Sequence, residues 1–179
     1  CFRISSYNGP TMSMLSFCHR HQPELHCACW IKSGLGAMLG MGFVGWLGVV
    51  SGHPFLIAPF GASCVLLFAV PKSPLAQPAN VIGGHMLAAA VTLVLRVWLP
   101  PDWWAVGIAV GLVIGLMVAF RVTHPPAGAT PVVVMLTDPG PMFLLFPIFS
   151  GCLVLIAIAW VVHKLPPHTV YPMVYEPDL

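Results

Sequence analysis

Two short segments of the sequence combine residue types that can bind an anion. Gly61-Ala62-Ser63 and Gly128-Ala129-Thr130 each place a glycine, an alanine and a hydroxyl-bearing residue shortly after a proline. Glycine lets a ligand approach the backbone closely, and the unpaired N–H groups at the start of a helix attract negative charge. The Ser and Thr hydroxyls can also cap such N–H groups. We therefore expect each segment to begin a helix, with an anion bound near both starts.

The second segment follows a histidine and two prolines, His124, Pro125 and Pro126, with Arg121 three residues earlier. Proline holds the residue before it extended, so the imidazole projects from a rigid stem. A histidine, whose unperturbed pKa is about 6.5, can donate a hydrogen bond to an anion or carry a proton, and the guanidinium of Arg121 adds a permanent charge. The alternatives are that His124 caps a carbonyl in a packed turn and that Arg121 extends to the membrane surface.

The predicted substrate-binding residues lie in these two segments or directly before the second one. They are Gly61, Ala62, Ser63, Arg121, His124, Pro125, Pro126, Gly128, Ala129 and Thr130. Three further polar residues, Gln77, Asn80 and His85, precede or enter a long apolar run, and we expect them to line the path of the substrate. For Asn80, capping of a helix is the simpler alternative.

The elements that must position these residues are membrane helices. Of the 179 residues, 58% are hydrophobic and 7% are charged, whereas about 25% are charged in ordinary soluble domains. Apolar runs lie at residues 34–50, 55–70, 81–99, 104–120, 129–136 and 142–162. About 20 apolar residues span a bilayer core of about 30 Å, so some of these runs can cross fully and others are short. The composition predicts an all-α, multi-pass integral membrane protein, without indicating which membrane holds it.

A shift of 67 positions aligns the two segments. PFGASCV, which begins at Pro59, then aligns with PAGATPV, which begins at Pro126. Prolines and glycines elsewhere keep this register: Gly40 aligns with Gly107, Gly48 with Gly115, Pro74 with Pro141, Gly84 with Gly151, and Pro100 with Pro167. Weak internal symmetry is typical of transporters. We expect two inverted repeats, residues 34–99 and 104–164, each a long helix, a broken short helix and a long helix.

The basic residues favour the inverted arrangement. If both broken segments cross the membrane, Lys32, Lys72, Arg121 and Lys164 share one side and Arg96 lies opposite. If the segments are re-entrant, Lys32, Arg96 and Lys164 oppose the other two. Because Lys and Arg accumulate on the cytoplasmic side of membrane proteins, the first distribution favours six crossings over four.

The stretches PFGASCVLLFAVPKSPLAQPANVIGGH and THPPAGAT closely resemble the motifs of the HPP family of integral membrane proteins. The family is named for the His-Pro-Pro that is His124, Pro125 and Pro126 here, and the resemblance covers about residues 34–162. Members are usually described as having four transmembrane helices, and chloroplast and cyanobacterial members have been assigned nitrite transport. The resemblance therefore implies an anion transporter.

The remaining chain predicts little chemistry. We expect residues 1–30 to be an extramembrane N-terminal segment, residues 31–165 the transmembrane domain, and residues 166–179 a C-terminal tail. Three Cys and three His lie between Cys18 and Cys29, but their spacing matches no structural zinc pattern, so we expect no metal and no cofactor. Between Lys32 and Lys164 the acidic residues are Asp102 and Asp138, and no nucleophile motif is present, so we expect no enzyme.

The leading hypothesis is a passive or proton-coupled transporter of a small monovalent anion. Its expected partners are that small inorganic anion and the lipid bilayer, whereas the singly spaced Lys and Arg argue against nucleic acid, and a homo-oligomer is left open. A channel with the same electrostatics is the nearest alternative. An intramembrane sensor or scaffold is the second alternative, and an intramembrane enzyme is the least favoured.

Overall fold

The computed structural model describes residues 27–174, and all regular structure in this range is helical, which confirms the predicted all-α class. The α-helices are α1 (Cys27–Ser51), α2 (Ala58–Cys64), α3 (Pro78–Trp98), α4 (Trp103–Ala119), α5 (Thr130–Thr137) and α6 (Ser150–His163). π-helical turns extend α2 over Val65–Ala69 and precede α6 over Leu145–Phe149. 3-10 turns cover Pro74–Ala76, Pro125–Ala129 and Pro141–Leu144.

Several of these helices suit a bilayer. The segments long and apolar enough to cross it are Ala28–Ser51, Pro78–Trp98 and Pro141–His163, and the shorter apolar helices are Ala58–Ala69 and Trp103–Ala119. Large apolar side chains, among them Val49, Val97 and Trp103, are exposed on the outside of the bundle. Exposed apolar surface of this kind is expected where a protein contacts lipid.

Both broken segments form short helices after extended residues, as predicted. Ile57 (φ −111°, ψ 140°) precedes α2, whose first turn contains Pro59. His124 (φ −134°, ψ 102°) precedes the 3-10 turn Pro125–Ala129, which leads directly into α5. Proline keeps the preceding residue out of the helical region and is tolerated in the first turn of a helix. Both breaks are therefore set by the local sequence.

The first broken segment passes from one end of the bundle to the other. Its lead lies beside the end of α1, where a Cβ at Gly48 would lie 3.2 Å from the carbonyl oxygen of His53. Its last turn lies beside the start of α1, where Ser33 Oγ is 2.8 Å from the carbonyl oxygen of Phe68. The lead over residues 53–57 and the helix Ala58–Ala69 together span up to about 34 Å, which matches a bilayer core of about 30 Å.

The second broken segment runs in the opposite direction. It begins beside the start of α3, where Asn80 Nδ2 donates to the carbonyl oxygen of Thr123 (3.0 Å). It ends beside the last turn of α3, where Arg96 and Asp138 form a salt bridge of 3.3 Å. The chain thus passes along the bundle six times.

Four basic residues, Lys32, Lys72, Arg121 and Lys164, lie at the end of the bundle that contains the start of α1, and we call this the cationic end. Lys32 Nζ donates to the carbonyl oxygen of Leu165 (2.8 Å), which follows α6. Lys32 and Lys72 line one cavity there. Arg96 lies at the opposite end with its partner Asp138. This is the distribution that the positive-inside rule favours for six crossings.

The shift of 67 positions also relates contacts between the two halves. A Cβ at Gly84 of α3 would lie 3.4 Å from the Cβ of Ala127, and a Cβ at Gly151 of α6 would overlap the ring of Phe60. Gly84 aligns with Gly151, and Phe60 aligns with Ala127. Each half therefore packs a long helix, through an aligned glycine, on the broken segment of the other half. The inverted repeats and their pseudo-two-fold axis stay predictions.

Candidate functional site

A buried network of hydroxyl and imidazole groups lies where the two broken segments meet. Ser63 Oγ is 2.9 Å from His85 Nε2 and 2.9 Å from His124 Nε2. His85 Nδ1 is 3.1 Å from Thr130 Oγ1, and His124 Nδ1 is 2.8 Å from the carbonyl oxygen of Leu75. Ser63, His85, His124 and Thr130 have no exposed surface. The two hydroxyls that align in the repeat thus contact opposite nitrogens of one imidazole, and we call these four residues the buried network.

Close packing of α3 against the second broken segment brings the histidines together. A Cβ at Gly84 would lie 2.8 Å from the Cβ of His124, so only a glycine leaves room for this approach. The rings of His85 and His124 are 5.1 Å apart at 65°, and Phe60 packs edge-on against His85 at 5.4 Å. Edge-to-face packing of this kind fixes ring orientation. Phe60 and Gly84 therefore lie directly against the two histidines.

When both histidines are neutral, the donors and acceptors available decide which group donates in each hydrogen bond of the network. The carbonyl of Leu75 only accepts, so His124 carries its hydrogen on Nδ1 and leaves Nε2 as an acceptor. Ser63 then donates to His124 Nε2 and accepts from His85 Nε2–H. His85 Nδ1 in turn accepts from the hydroxyl of Thr130. One arrangement of hydrogens satisfies all four contacts.

The predicted substrate-binding residues divide into two groups. Ser63, His124 and Thr130 meet in the buried network. The others have no hydrogen bond to the network: Pro126 is buried, Gly61 and Gly128 are half-buried, and Ala62, Arg121, Pro125 and Ala129 are exposed. For His124, the structure shows the carbonyl contact that was the alternative to an anion contact.

Fewer helix-start N–H groups are free than expected. Pro125 and Pro126 have no N–H, and the N–H of Ala127 donates to the carbonyl of His124 at 2.9 Å. In the first segment the N–H of Phe60 donates to the carbonyl of Ile57 at 3.0 Å. The side chains of the network, rather than an array of amides, are therefore the principal polar groups at the breaks.

The expected helix caps are wrong. Ser63 lies in the second turn of α2, too far from its start to cap it, and its Oγ is 3.1 Å from the carbonyl oxygen of Pro59 four residues earlier. Thr130 follows the turn Pro125–Ala129, so its hydroxyl is free to reach His85. Asn80 lies inside α3, whose N-cap is Gln77, and its amide donates to Thr123 instead.

Arg121 does not join the buried network. It lies just beyond α4 with a positive φ of 60° and an exposed side chain. Among residues 27–174, its side chain has no hydrogen bond or salt bridge. The side chain contributes charge to the cationic end, while its extension to the membrane surface and its contact with a substrate both stay predictions.

Of the predicted pathway residues, only His85 belongs to the network. Gln77 Nε2 donates to the carbonyls of Pro71 and Ser73, and its Oε1 accepts from the N–H of Met173. Asn80 connects α3 to Thr123, just before the second break. The structure gives Gln77 and Asn80 roles in holding loops, and their role in a pathway stays a prediction.

A cavity of about 740 Å³ opens at the cationic end. Its polar lining includes Lys32, Lys72 and His163, and its apolar lining includes Phe68 and Val70. His163 Nε2 donates to the carbonyl of Leu67 at 2.7 Å, and its buried Nδ1 has no partner among the described residues. The cavity therefore combines two ammonium groups with apolar walls near the end of the first broken segment.

The described part of the chain contains no group of three His, Cys, Asp or Glu side chains that could hold a metal ion. The Cys- and His-rich stretch from Cys18 to Cys29 lies mostly outside the described residues, as does the predicted extramembrane segment 1–30. Its role therefore stays a prediction.

The sequence placed His85 at the mouth of a helix, whereas it lies two turns inside α3 with no exposed surface. An imidazole directly after Gly83-Gly84 in an apolar run was the available signal, because close packing beside a polar side chain indicates a partner on the neighbouring segment. Nothing in the sequence identified the carbonyl of Leu75 or the cavity at the cationic end.

Comparison with known proteins adds a family. The model of the HPP transmembrane region matches residues 22–172, which include both broken segments and the whole buried network. Two transmembrane proteins of Dictyostelium discoideum are similar to this chain. One is 41% identical over 126 residues, covering 66% of this chain and 44% of the relative. The other is 35% identical over 127 residues, covering 66% and 41%.

The chain spans less than half the length of these curated relatives, whose names state a membrane location and no substrate. No solved structure matches the chain. The family match, the apolar helices and the similar transmembrane proteins agree on an integral membrane protein, and the chain belongs to the HPP transmembrane family.

Proposed function

We propose that the protein transports a small monovalent anion and that the anion binds where the two broken segments meet. Nitrite is the substrate that the family resemblance suggests. The observation that carries the proposal is the buried network, which joins two interrupted membrane segments through Ser63, His85, His124 and Thr130. Polar and ionisable groups are costly inside a membrane protein and typically mark a substrate path.

The available groups favour a negative substrate. The hydroxyls and imidazole N–H groups of the network can all donate, and no carboxylate contacts them in the described chain. Asp102 and Asp138 are exposed, and Asp138 is paired with Arg96. Lys32 and Lys72 line the cavity at the cationic end, where they raise the local concentration of anions.

Every hydrogen bond of the buried network is made to another protein group, so we assign this structure to a closed state of the proposed transport cycle. An anion must separate the broken segments to accept hydrogen bonds from Ser63, Thr130 and an imidazole N–H. Each such bond to a charged group is worth about 1.5–3 kcal/mol. Interrupted helices suit this movement, because each broken segment can shift without disrupting a continuous helix.

Flux into proteoliposomes tests the proposal, with nitrite, nitrate, chloride and formate compared. Protein-free vesicles are required as a background, because nitrous and formic acids cross lipid in their neutral forms. We expect saturable, protein-dependent uptake that Thr130→Val lowers about tenfold or more, since it removes a hydroxyl donor. Thr137→Val is the matched control, because Thr137 lies in the same helix and its exposed hydroxyl donates to the carbonyl of Val133 outside the network.

The outcomes separate the alternatives. Absence of protein-dependent flux for all four anions refutes transport and favours a sensor or scaffold. Ionic current that does not saturate and shows no exchange across the membrane favours a channel. Equal loss in Thr130→Val and Thr137→Val would remove the buried network from the binding site.

A further inference from the structure

We propose that His124 binds one proton that is transported together with the anion, and that the hydroxyl of Ser63 reorients when the proton binds. This inference rests on the proposed function and adds the coupling ion to it. It is carried by the three contacts of Ser63 Oγ, which lies 2.9 Å from His124 Nε2, 2.9 Å from His85 Nε2 and 3.1 Å from the carbonyl oxygen of Pro59.

When both histidines are neutral, no hydrogen lies between Ser63 Oγ and the carbonyl oxygen of Pro59. A serine hydroxyl has one hydrogen to donate, and the neutral network requires it to point at His124 Nε2. The carbonyl of Pro59 then lies at hydrogen-bonding distance from Ser63 without receiving a hydrogen from it. One acceptor therefore stays available beside the serine.

When His124 binds a proton, the Ser63 hydroxyl can donate to that free acceptor. The proton binds the lone pair of Nε2, no covalent bond breaks, and the Ser63 O–H rotates from His124 to the carbonyl of Pro59. The serine oxygen then accepts N–H groups from both histidines, which is its full capacity. Both protonation states are satisfied with the heavy atoms at their observed separations, and the added proton leaves by the reverse step.

His85 is less suited to hold the proton. A second proton on His85 would sit on Nδ1 and donate to Thr130 Oγ1, so the Thr130 hydroxyl would need a new acceptor. The hydrogen bonds of the described residues give Thr130 Oγ1 no other partner. His124, in contrast, has an acceptor for each N–H, the Leu75 carbonyl and Ser63 Oγ.

Charge balance then couples the proton to the anion. His85 is the titratable group that faces His124, while α2 presents Ser63, the loop before α3 presents the Leu75 carbonyl, and α3 also presents Gly84. In the described chain, no Lys, Arg, Asp or Glu bonds to either histidine. An isolated charge buried here is costly, and an anion beside it offsets that cost. We therefore expect about one proton per anion and flux that is insensitive to membrane potential.

Proton uptake measured with a luminal pH dye tests the coupling. The probe is nitrite or nitrate, whichever gives the larger protein-dependent flux, with protein-free vesicles subtracted. We expect His124→Asn and Ser63→Ala to lower anion-dependent proton uptake about tenfold or more. The asparagine amide can still donate to the Leu75 carbonyl, so this variant removes Nε2 while keeping the turn.

Matched controls lie outside the network. His53→Asn changes a histidine that stacks on Phe146 at the opposite end of the bundle, and Ser150→Ala changes a serine that donates to the carbonyl of Leu145. Both should couple like the wild type. Wild-type anion flux without proton uptake, or flux that follows an imposed potassium diffusion potential, overturns this inference and leaves anion transport standing.

Nitrogen-15 NMR of histidine-labelled protein tests the proton site even if no anion is transported. We expect neutral His124 to carry hydrogen on Nδ1 alone, and Nε2 of His124 to gain a proton on acidification before His85 does. His124→Asn assigns the signal by removing it. A hydrogen on Nε2 in the neutral form, or earlier protonation of His85, overturns the proposal.

Discussion

The two ring nitrogens of His124 have different contacts. One nitrogen bonds to the loop before α3, and the other faces the first broken segment. Nδ1 donates to the carbonyl of Leu75, whereas Nε2 faces Ser63. Structural and functional effects of a substitution can therefore be separated. The carbonyl contact is a matter of stability, and the Nε2 contact is the part assigned to transport.

His124→Ala should destabilise the protein more than His124→Asn does. Alanine leaves the buried carbonyl of Leu75 without its donor, which costs about 1–3 kcal/mol, whereas asparagine can keep that bond. For a chain of this size, 1 kcal/mol shifts the unfolding temperature by about 2–4 °C. Thermal unfolding in detergent measures the difference, with His53→Ala as the control histidine outside the network. Equal unfolding temperatures for the two His124 variants would show that the Leu75 contact contributes little.

At the residue scale, the sequence predicted which residues form the buried network better than it predicted their hydrogen-bond partners. The recurrence of Gly, Pro and hydroxyl residues at the breaks predicts Ser63, His124 and Thr130 as binding residues, and these three meet in the buried network. The charge of Arg121 predicts a contact with the anion, whereas its side chain is exposed just beyond the end of α4. The Leu75 carbonyl could not be predicted, because its position depends on how the loop before α3 packs.

Glycines determine how closely the long helices approach the broken segments. Gly84→Ala and Gly151→Ala should each destabilise the protein by about 1–3 kcal/mol, which is typical of overpacking. A Cβ at Gly84 would meet the carbonyl oxygen of Val122 at 3.0 Å, and backbone cannot move aside easily. A Cβ at Gly151 would overlap Phe60, whose ring is fully buried. Thermal unfolding of both variants measures the effect.

Gly107→Ala and Gly115→Ala are the matched controls for that prediction. Both glycines lie in α4, and a Cβ at either position meets no atom within 4 Å. Alanine also favours a helix interior over glycine by about 1 kcal/mol, so these controls should be neutral or stabilising. If the control variants lost as much stability as Gly84→Ala, the loss would come from replacing any glycine in a membrane helix and not from close packing at Gly84.

Gly61→Val and Gly128→Val should lower anion flux while the protein stays folded. A Cβ at Gly61 meets nothing within 4 Å, and a Cβ at Gly128 meets only Ile114 at 4.0 Å, so the closed state has room for a Cβ at both positions. A branched side chain beside the break would instead obstruct a ligand that approaches the backbone. Flux normalised to folded protein measures this effect. Normal flux in both variants would place the glycines outside the binding site.

Helix boundaries were predicted well where proline and glycine act locally and less well elsewhere. The runs predicted at 81–99 and 104–120 correspond to α3 (Pro78–Trp98) and α4 (Trp103–Ala119). The run at 142–162 contains a break that the apolar pattern hid. Phe146 is extended (φ −128°, ψ 112°) before Pro147, so α6 begins only at Ser150. Hydropathy describes how favourably side chains transfer from water into lipid, and it carries no information about such a kink.

At the scale of the whole molecule, the two broken segments run in opposite directions along the bundle. Composition predicted the membrane location and charge favoured six passes, whereas the crossed packing of Gly84 on Ala127 and Gly151 on Phe60 is tertiary structure that neither could show. The two broken segments reach the buried network from opposite ends. Their directions therefore decide whether the network has access to both sides of the membrane.

The direction of each broken segment can be tested by the sidedness of two loop residues, Lys72 and Asp138. In the six-pass arrangement Lys72 lies at the cationic end and Asp138 lies with Arg96 at the other end. If the segments were re-entrant, both residues would lie on one side. Lys72→Cys and Asp138→Cys, each in a variant without native cysteines, can be labelled from one side of sealed vesicles with a membrane-impermeant thiol reagent.

We expect the reagent to label one of these two cysteines in intact vesicles and both after the vesicles are opened. Lys164→Cys should label with Lys72→Cys, and Asp102→Cys should label with Asp138→Cys, because the loop after α3 lies at the end opposite the cationic end. Labelling of Lys72→Cys and Asp138→Cys from the same side would instead make both segments re-entrant. The buried network would then be reached from one side only, and transport through it would require a different path.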